Sequence, residues 1–134
     1  MLRVRLTEAE IRAVARQLYD LNPLHHDPGA ARAAGYPGLI ASGAHTGAIF
    51  MVMTATHFSA PGPDGAPRSV LGLGFNIRFR AVVLAGEDIV LRWTVASSAW
   101  KASLAGYLTQ CDGEVHTPRG LALTGVANLL LRHA

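Results

Sequence analysis

The chain has 134 residues, half of them hydrophobic and only 16% charged, with a formal net charge of +3. That length is enough to bury roughly two-thirds of the extended surface and so predicts one domain over residues 1–134, while so low a charged fraction predicts apolar surface covered by a partner chain. The arginines are scattered rather than clustered, which argues against nucleic-acid binding. The single cysteine, Cys111, excludes an internal disulfide and fits a reducing cytoplasm. No apolar run is long enough to span a bilayer and "MLRVRLTEAE" has no leader-like apolar core, so a soluble, cytoplasmic protein is the expectation.

Residues 2–6 predict a short strand. "TEAEIRAVARQLYD" then predicts a helix, with Thr7 and Glu10 as a capping box and Ile11, Val14, Ala15 and Leu18 as its apolar stripe. Asp27 followed by Pro28 starts a second helix that ends near Gly35. A third helix, "SGAHTGAIFMVMTATHF" from Ser42 to about Phe58, contains no Asp, Glu, Lys or Arg and belongs in an interior. The Pro/Gly-rich segment 59–68 is a loop. In "VLGLGFNIRFR" the period changes to two, and further strands are expected at 88–97, 102–111 and 121–131, with "CDGEVHTPRG" reading as turn-prone. A sheet that must cover a buried helix predicts an α+β fold in which the strands curl around that helix.

The polar chemistry is concentrated in "LYDLNPLHHDPGA". Asp20 ends one helix and Asp27 opens the next. Pro23 restricts itself and Asn22, whose amide is suited to a local turn. A link this short can hold the Asp20 carboxylate and the His25 imidazole in a fixed relation, which is acid–base equipment around a water. Caps and turns with surface histidines use the same residue types. A metal site is not expected, because His25 and His26 are adjacent and no third ligand has suitable spacing.

"DLNPLHHDP" resembles the D-x-N-P-x-H signature of the MaoC-like, or (R)-specific enoyl-CoA hydratase, family of hot-dog folds, with Asp20, Asn22, Pro23 and His25 at the motif's spacing. "GLIASGAHTGAIF" is similar to the family's apolar segment and central helix, and "FRAVVLAGEDIVLRWTV" to its strand–turn–strand segment. Tyr19 stands where the family often has Gly, Ser42 where it often has His, and Val82 where Pro is usual. The resemblance implies a hot-dog fold of about five antiparallel strands around a long helix. It implies hydration of trans-2-enoyl thioesters, or the reverse dehydration, by Asp20 and His25 sharing a water, with coenzyme A or an acyl-carrier protein as part of the substrate and no resident cofactor. Gly43 N–H, at the free start of the apolar helix, is the candidate donor to the thioester oxygen, with the glycine letting substrate approach; an ordinary cap at Ser42–Gly43 is compatible with that.

Asn22, Ser42 and Met51 are candidate substrate contacts, and Arg78 and Arg80, with Lys101, candidate partners for phosphates of coenzyme A. Alternating arginines on a strand equally form a solvated face. His45 and His57 read as satisfied core histidines, His26 as the solvent-side neighbour of His25, and Met53 and Cys111 as core. The competing functions are a hot-dog thioesterase and a non-catalytic acyl-thioester binder. Many such thioesterases carry an acidic residue on the central helix, and residues 42–58 have none. An open curled sheet with an apolar flank predicts a homodimer.

Overall fold

The computed structural model describes residues 1–133. Strand β1 (Leu2–Arg5) leads into helix α1 (Glu8–Gln17). The Thr7 hydroxyl accepts from Glu10 N–H and donates to Glu10 Oε1, both at 3.1 Å, so the helix begins at the expected capping box. A 3₁₀ turn over Pro23–His25 precedes helix α2 (Pro28–Ala33), where Asp27 Oδ1 accepts from Gly29 N–H at 2.8 Å. Helix α3 (Gly43–Ser59) is followed by β2 (Arg68–Phe79), β3 (Asp88–Lys101), β4 (Gly106–Thr117) and β5 (Gly120–His133). All pairings are antiparallel and the five strands run in the order β1-β3-β4-β5-β2, curled around α3 as the buried-helix argument anticipated. Among the described residues, no helix is long and apolar enough to cross a membrane.

One row of the sheet explains how α3 is seated. Trp93, Gly113 and Gly125 lie side by side across β3, β4 and β5. Phe50 of α3 stacks on Trp93 with ring centroids 4.1 Å apart, and Trp93 Nε1–H donates to the Phe50 carbonyl at 2.8 Å. The two rings occupy the volume that side chains at the glycines would need: a Cβ on Gly113 would lie 2.5 Å from Trp93 Cε3 and 2.6 Å from Phe50 Cζ. The surrounding core is aliphatic, with Ile11, Leu39, Ile89, Leu91, Val115 and Leu123 all buried.

Three strand boundaries differ from the sequence expectation by more than two residues, the first being the end of β3, which runs on to Lys101 instead of stopping at 97. Residues 102–104 form a 3₁₀ turn rather than the start of a strand, and Ala105 is left-handed at φ +49°. β4 continues through the supposed turn segment to Thr117, with Thr109, Cys111, Gly113, Val115 and Thr117 buried in alternation. Asp112 and Gly113 look like a turn signal because the glycine is read as flexible; here it is small so that Phe50 and Trp93 fit. The actual reversal takes only Pro118 and Arg119.

Gly113→Ala is therefore expected to destabilise the fold by about 2 kcal/mol, within the range for overpacking a dense core. A denaturant midpoint indistinguishable from that of the parent protein would show that the ring stack is not confined.

Candidate active site

Asp20 is placed by the way α1 stops. Asp20 N–H donates to the Ala15 carbonyl at 2.8 Å and Tyr19 N–H to that of Arg16 at 3.1 Å, a Schellman ending. That motif requires a left-handed residue just past the helix, and Tyr19 supplies it at φ +56° while 90% exposed. Here lies the physical reason glycine suits the position: a side chain there is strained by about 1 kcal/mol.

Beyond Asp20 the chain makes two successive side-chain-supported turns. Asn22 N–H donates to Asp20 Oδ1 and Leu24 N–H to Asn22 Oδ1, each at 3.2 Å. The Asn22 carbonyl oxygen is thus engaged in holding the turn. Leu24 O accepts from Ile40 N–H at 3.1 Å, which ties the turn to the segment leading into α3. His25 is buried, and its Nδ1 lies 2.8 Å from the Ile40 carbonyl. A carbonyl only accepts, so Nδ1 carries a proton and Nε2 is left to exchange one.

His25 Nε2 stands 3.3 Å from Asp20 Oδ2, and Ser42 Oγ donates to the same oxygen at 2.8 Å. The expected side-chain cap at Ser42 is not made; its hydroxyl holds Asp20 instead. The Ser42 hydrogen bond, followed by that from Asn22 N–H, keeps the Asp20 carboxyl below the ordinary carboxylate range against a smaller opposing effect of burial. His26 is half-buried rather than free at the surface: its Nε2 lies 2.7 Å from the Asp20 backbone carbonyl, and Arg12 Nε–H donates to its own carbonyl at 3.0 Å.

Ser42 also opens α3. His45 and Thr46 N–H donate to the Ser42 carbonyl, whereas Gly43 N–H has no backbone partner among the described residues. The glycine at this position meets Phe79: a Cβ on Gly43 would lie 3.0 Å from Phe79 Cε1. The missing side chain thus accommodates a phenyl ring, an explanation that the sequence reading, with substrate approach in view, did not contain. His45, expected to be a satisfied core histidine, is 6% exposed with Nδ1 unpartnered, and burial pushes its pKa down.

The remaining candidates are not gathered here. Arg78 and Arg80 are exposed and make no ion pair among the described residues. A largely apolar cavity of about 630 Å³ runs beside the second half of α3, lined in part by Ile49, Val52, Met53, Phe58, Trp93 and Cys111. Met51 is not among its lining residues, and neither are Asp20 and His25. Cys111 at its wall is buried, which raises its thiol pKa.

Replacing Ser42 by Ala removes the strongest stabiliser of the Asp20 carboxylate, so the Asp20 pKa measured by carboxyl NMR titration should rise. An unchanged value would mean that the Ser42 contact is not maintained in solution. Asp20 is depressed in the folded state, so its stabilising contribution is present above the ordinary carboxyl range and is lost as pH falls through the folded value. His45 is also depressed, but as a base: stability should begin to fall once pH drops below about 6.5, where the unfolded state takes up the proton first. Urea titrations across that range should show a flatter slope for His45→Gln. Tyr19→Gly should stabilise the protein by about 1 kcal/mol through relief of the left-handed strain; a loss of stability would show that the tyrosine side chain contributes more than its backbone strain removes.

Similarity to known proteins identifies the fold and the family. The MaoC like domain family matches residues 2–107. The fold superposes on an (R)-hydratase from A. caviae with a TM-score of 0.77 and 25% identity, covering 99% of this chain and 92% of that one. A MaoC-like dehydratase from Rhodospirillum rubrum gives a TM-score of 0.78 and 26% identity over 99% of this chain and 88% of that one. The 3R-hydroxyacyl-ACP dehydratase complex HadBC from Mycobacterium tuberculosis shares the fold, with a TM-score of 0.75 and 17% identity over 96% and 90% of the two chains. No curated protein matches the chain. The five-stranded sheet curled around α3 is a hot-dog fold, and the chain belongs to the MaoC-like hydratase and dehydratase family.

Proposed function

We propose that the protein adds water across the double bond of trans-2-enoyl thioesters to give 3-hydroxyacyl thioesters, or runs the reverse dehydration. The observation that carries this reading is the 3.3 Å separation of Asp20 Oδ2 and His25 Nε2, close enough for both groups to hold one water. Asp20, kept ionised by Ser42 and Asn22 N–H, suits an acceptor of hydrogen bonds from that water. His25, with Nδ1–H committed to Ile40, has only Nε2 left for proton transfer. As the water oxygen bonds to the β-carbon, one member of the pair takes its proton and the other delivers a proton to the α-carbon. Negative charge gathers meanwhile on the thioester oxygen, and Gly43 N–H at the positive end of α3 is the donor for it.

Coenzyme A or an acyl-carrier protein enters as the carrier portion of the substrate, so the reaction needs no resident cofactor. The first cavity-lining residue beyond one turn of α3 is Ala48, about 8 Å along the helix axis from Gly43, so a short enoyl group is handled at the helix start and a longer tail has apolar space further on. The chain is proposed to work as a homodimer in the cytoplasm: β2 lies at the sheet edge with Leu71 and Leu73 about half exposed, an edge that calls for cover. A thioesterase that relies on an acidic group of the central helix finds none in Gly43–Ser59.

Crotonyl-CoA distinguishes the readings when loss of enoyl absorbance and release of free thiol are followed together. Hydration consumes the conjugated absorbance without freeing thiol. Asp20→Asn and His25→Ala should each lower kcat by at least about 100-fold with the fold intact by circular dichroism. Near-normal turnover in either variant would sink the mechanism, and thiol release would replace it with hydrolysis. Light scattering that returned a monomer would overturn the dimer.

A further inference from the structure

Phe79 closes β2, and more than half of its surface is open to solvent, unusual for a phenyl ring on the side of the sheet that faces α3. One side of the ring is seated. A Cβ on Gly43 would come within 3.0 Å of Cε1 and one on Gly47 within 3.8 Å of Cζ, so the two glycines, one helical turn apart, form a slot on α3 that the ring occupies. The other side faces outward beside the first turn of α3. That turn carries Gly43 N–H and follows directly on Ser42, whose hydroxyl is 2.8 Å from the Asp20 carboxylate.

We propose that Phe79 is a specificity-determining wall of the substrate site, which limits the size of the group carried by the carbon next to the thioester carbonyl. This rests on the reading above that Gly43 N–H receives the thioester oxygen. A carbonyl hydrogen-bonded at Gly43 N–H has its α-carbon one bond away, and the Phe79 ring, whose atoms are the nearest to the side-chain space at Gly43, lies beside that approach. An unbranched α-carbon passes the ring edge; a methyl branch meets it. Phe79 carries no group for proton transfer, so its influence is on which acyl groups fit. Its exposure also means that truncation removes little from the core.

Butanoyl-CoA and 2-methylbutanoyl-CoA, which lack the double bond and cannot be hydrated, report binding without turnover. Isothermal titration of the parent protein should favour the unbranched thioester. Phe79→Ala should move the ratio of the two dissociation constants toward the branched one by about 10-fold, the scale of one methyl group in an apolar site, and Phe79→Leu by less. A ratio within twofold of the parent in folded Phe79→Leu and Phe79→Ala would overturn the proposal, as would failure of the parent to bind either thioester. Crotonyl-CoA turnover measured on the same preparations separates the two readings. No turnover with a shifted ratio overturns hydration and upholds Phe79; turnover with an unshifted ratio does the reverse.

Discussion

The seating of α3 against the sheet governs everything functional in this molecule. Phe50 and Trp93 stack at 4.1 Å in a gap that exists because β4 and β5 each place a glycine, Gly113 and Gly125, beneath them. The indole N–H bond to the Phe50 carbonyl adds direction to what is otherwise nonpolar packing. Because the helix is rigid, anchoring it at Phe50 also places its first turn, about two turns away, where Ser42 and Gly43 sit. A dense ring stack tolerates little displacement, so the helix start inherits a defined position relative to the loop that carries Asp20.

From that anchor the site is assembled by backbone hydrogen bonding. The Schellman ending of α1 sets Asp20, the paired turns through Asn22 set His25, and the bond from Ile40 N–H to Leu24 O brings the loop alongside the approach to α3. Ala41 N–H to Val83 O and Ala85 N–H to Leu39 O then fasten that approach to the loop between β2 and β3. Ser42 is the last link: one residue ends the extended approach, opens the helix and bonds the Asp20 carboxylate. A carboxylate held by two donors and faced by an imidazole with one committed nitrogen is a small unit with few internal freedoms, and that is what positioning a water requires.

The nonpolar features divide along α3. Its first turn lies beside Asp20 and Phe79, whereas the 630 Å³ cavity follows its second half. A helix without a single Asp, Glu, Lys or Arg suits both regions: it places no charge against the largely apolar cavity and no competing ion beside the Asp20 carboxylate. The strained backbone at Tyr19 belongs to the same economy of placement. A left-handed residue is needed for Asp20 to follow the helix directly, and the tyrosine meets that need by strain where glycine would meet it freely.

Much of this was legible along the chain because it is local. The capping box at Thr7 and Glu10, the Asp27–Pro28 start, the charge-free helix and the period-two strands each depend on residues within a few positions of one another, and the Asp20–Asn22–Pro23–His25 spacing does too. What crosses between distant segments was not legible. Ser42 reads as a cap until the fold brings Asp20 to its hydroxyl, Gly113 reads as a turn until two rings are seen above it, and Gly43 reads as an opening for substrate until Phe79 fills the space. Met51 and Met53 are chemically alike, and only the rotation of α3 against the sheet decides which of them lines the cavity. Local spacing determined which groups could act; packing among residues far apart in the chain decided which of them meet, because short-range preferences contain no information about partners that only the closed sheet delivers.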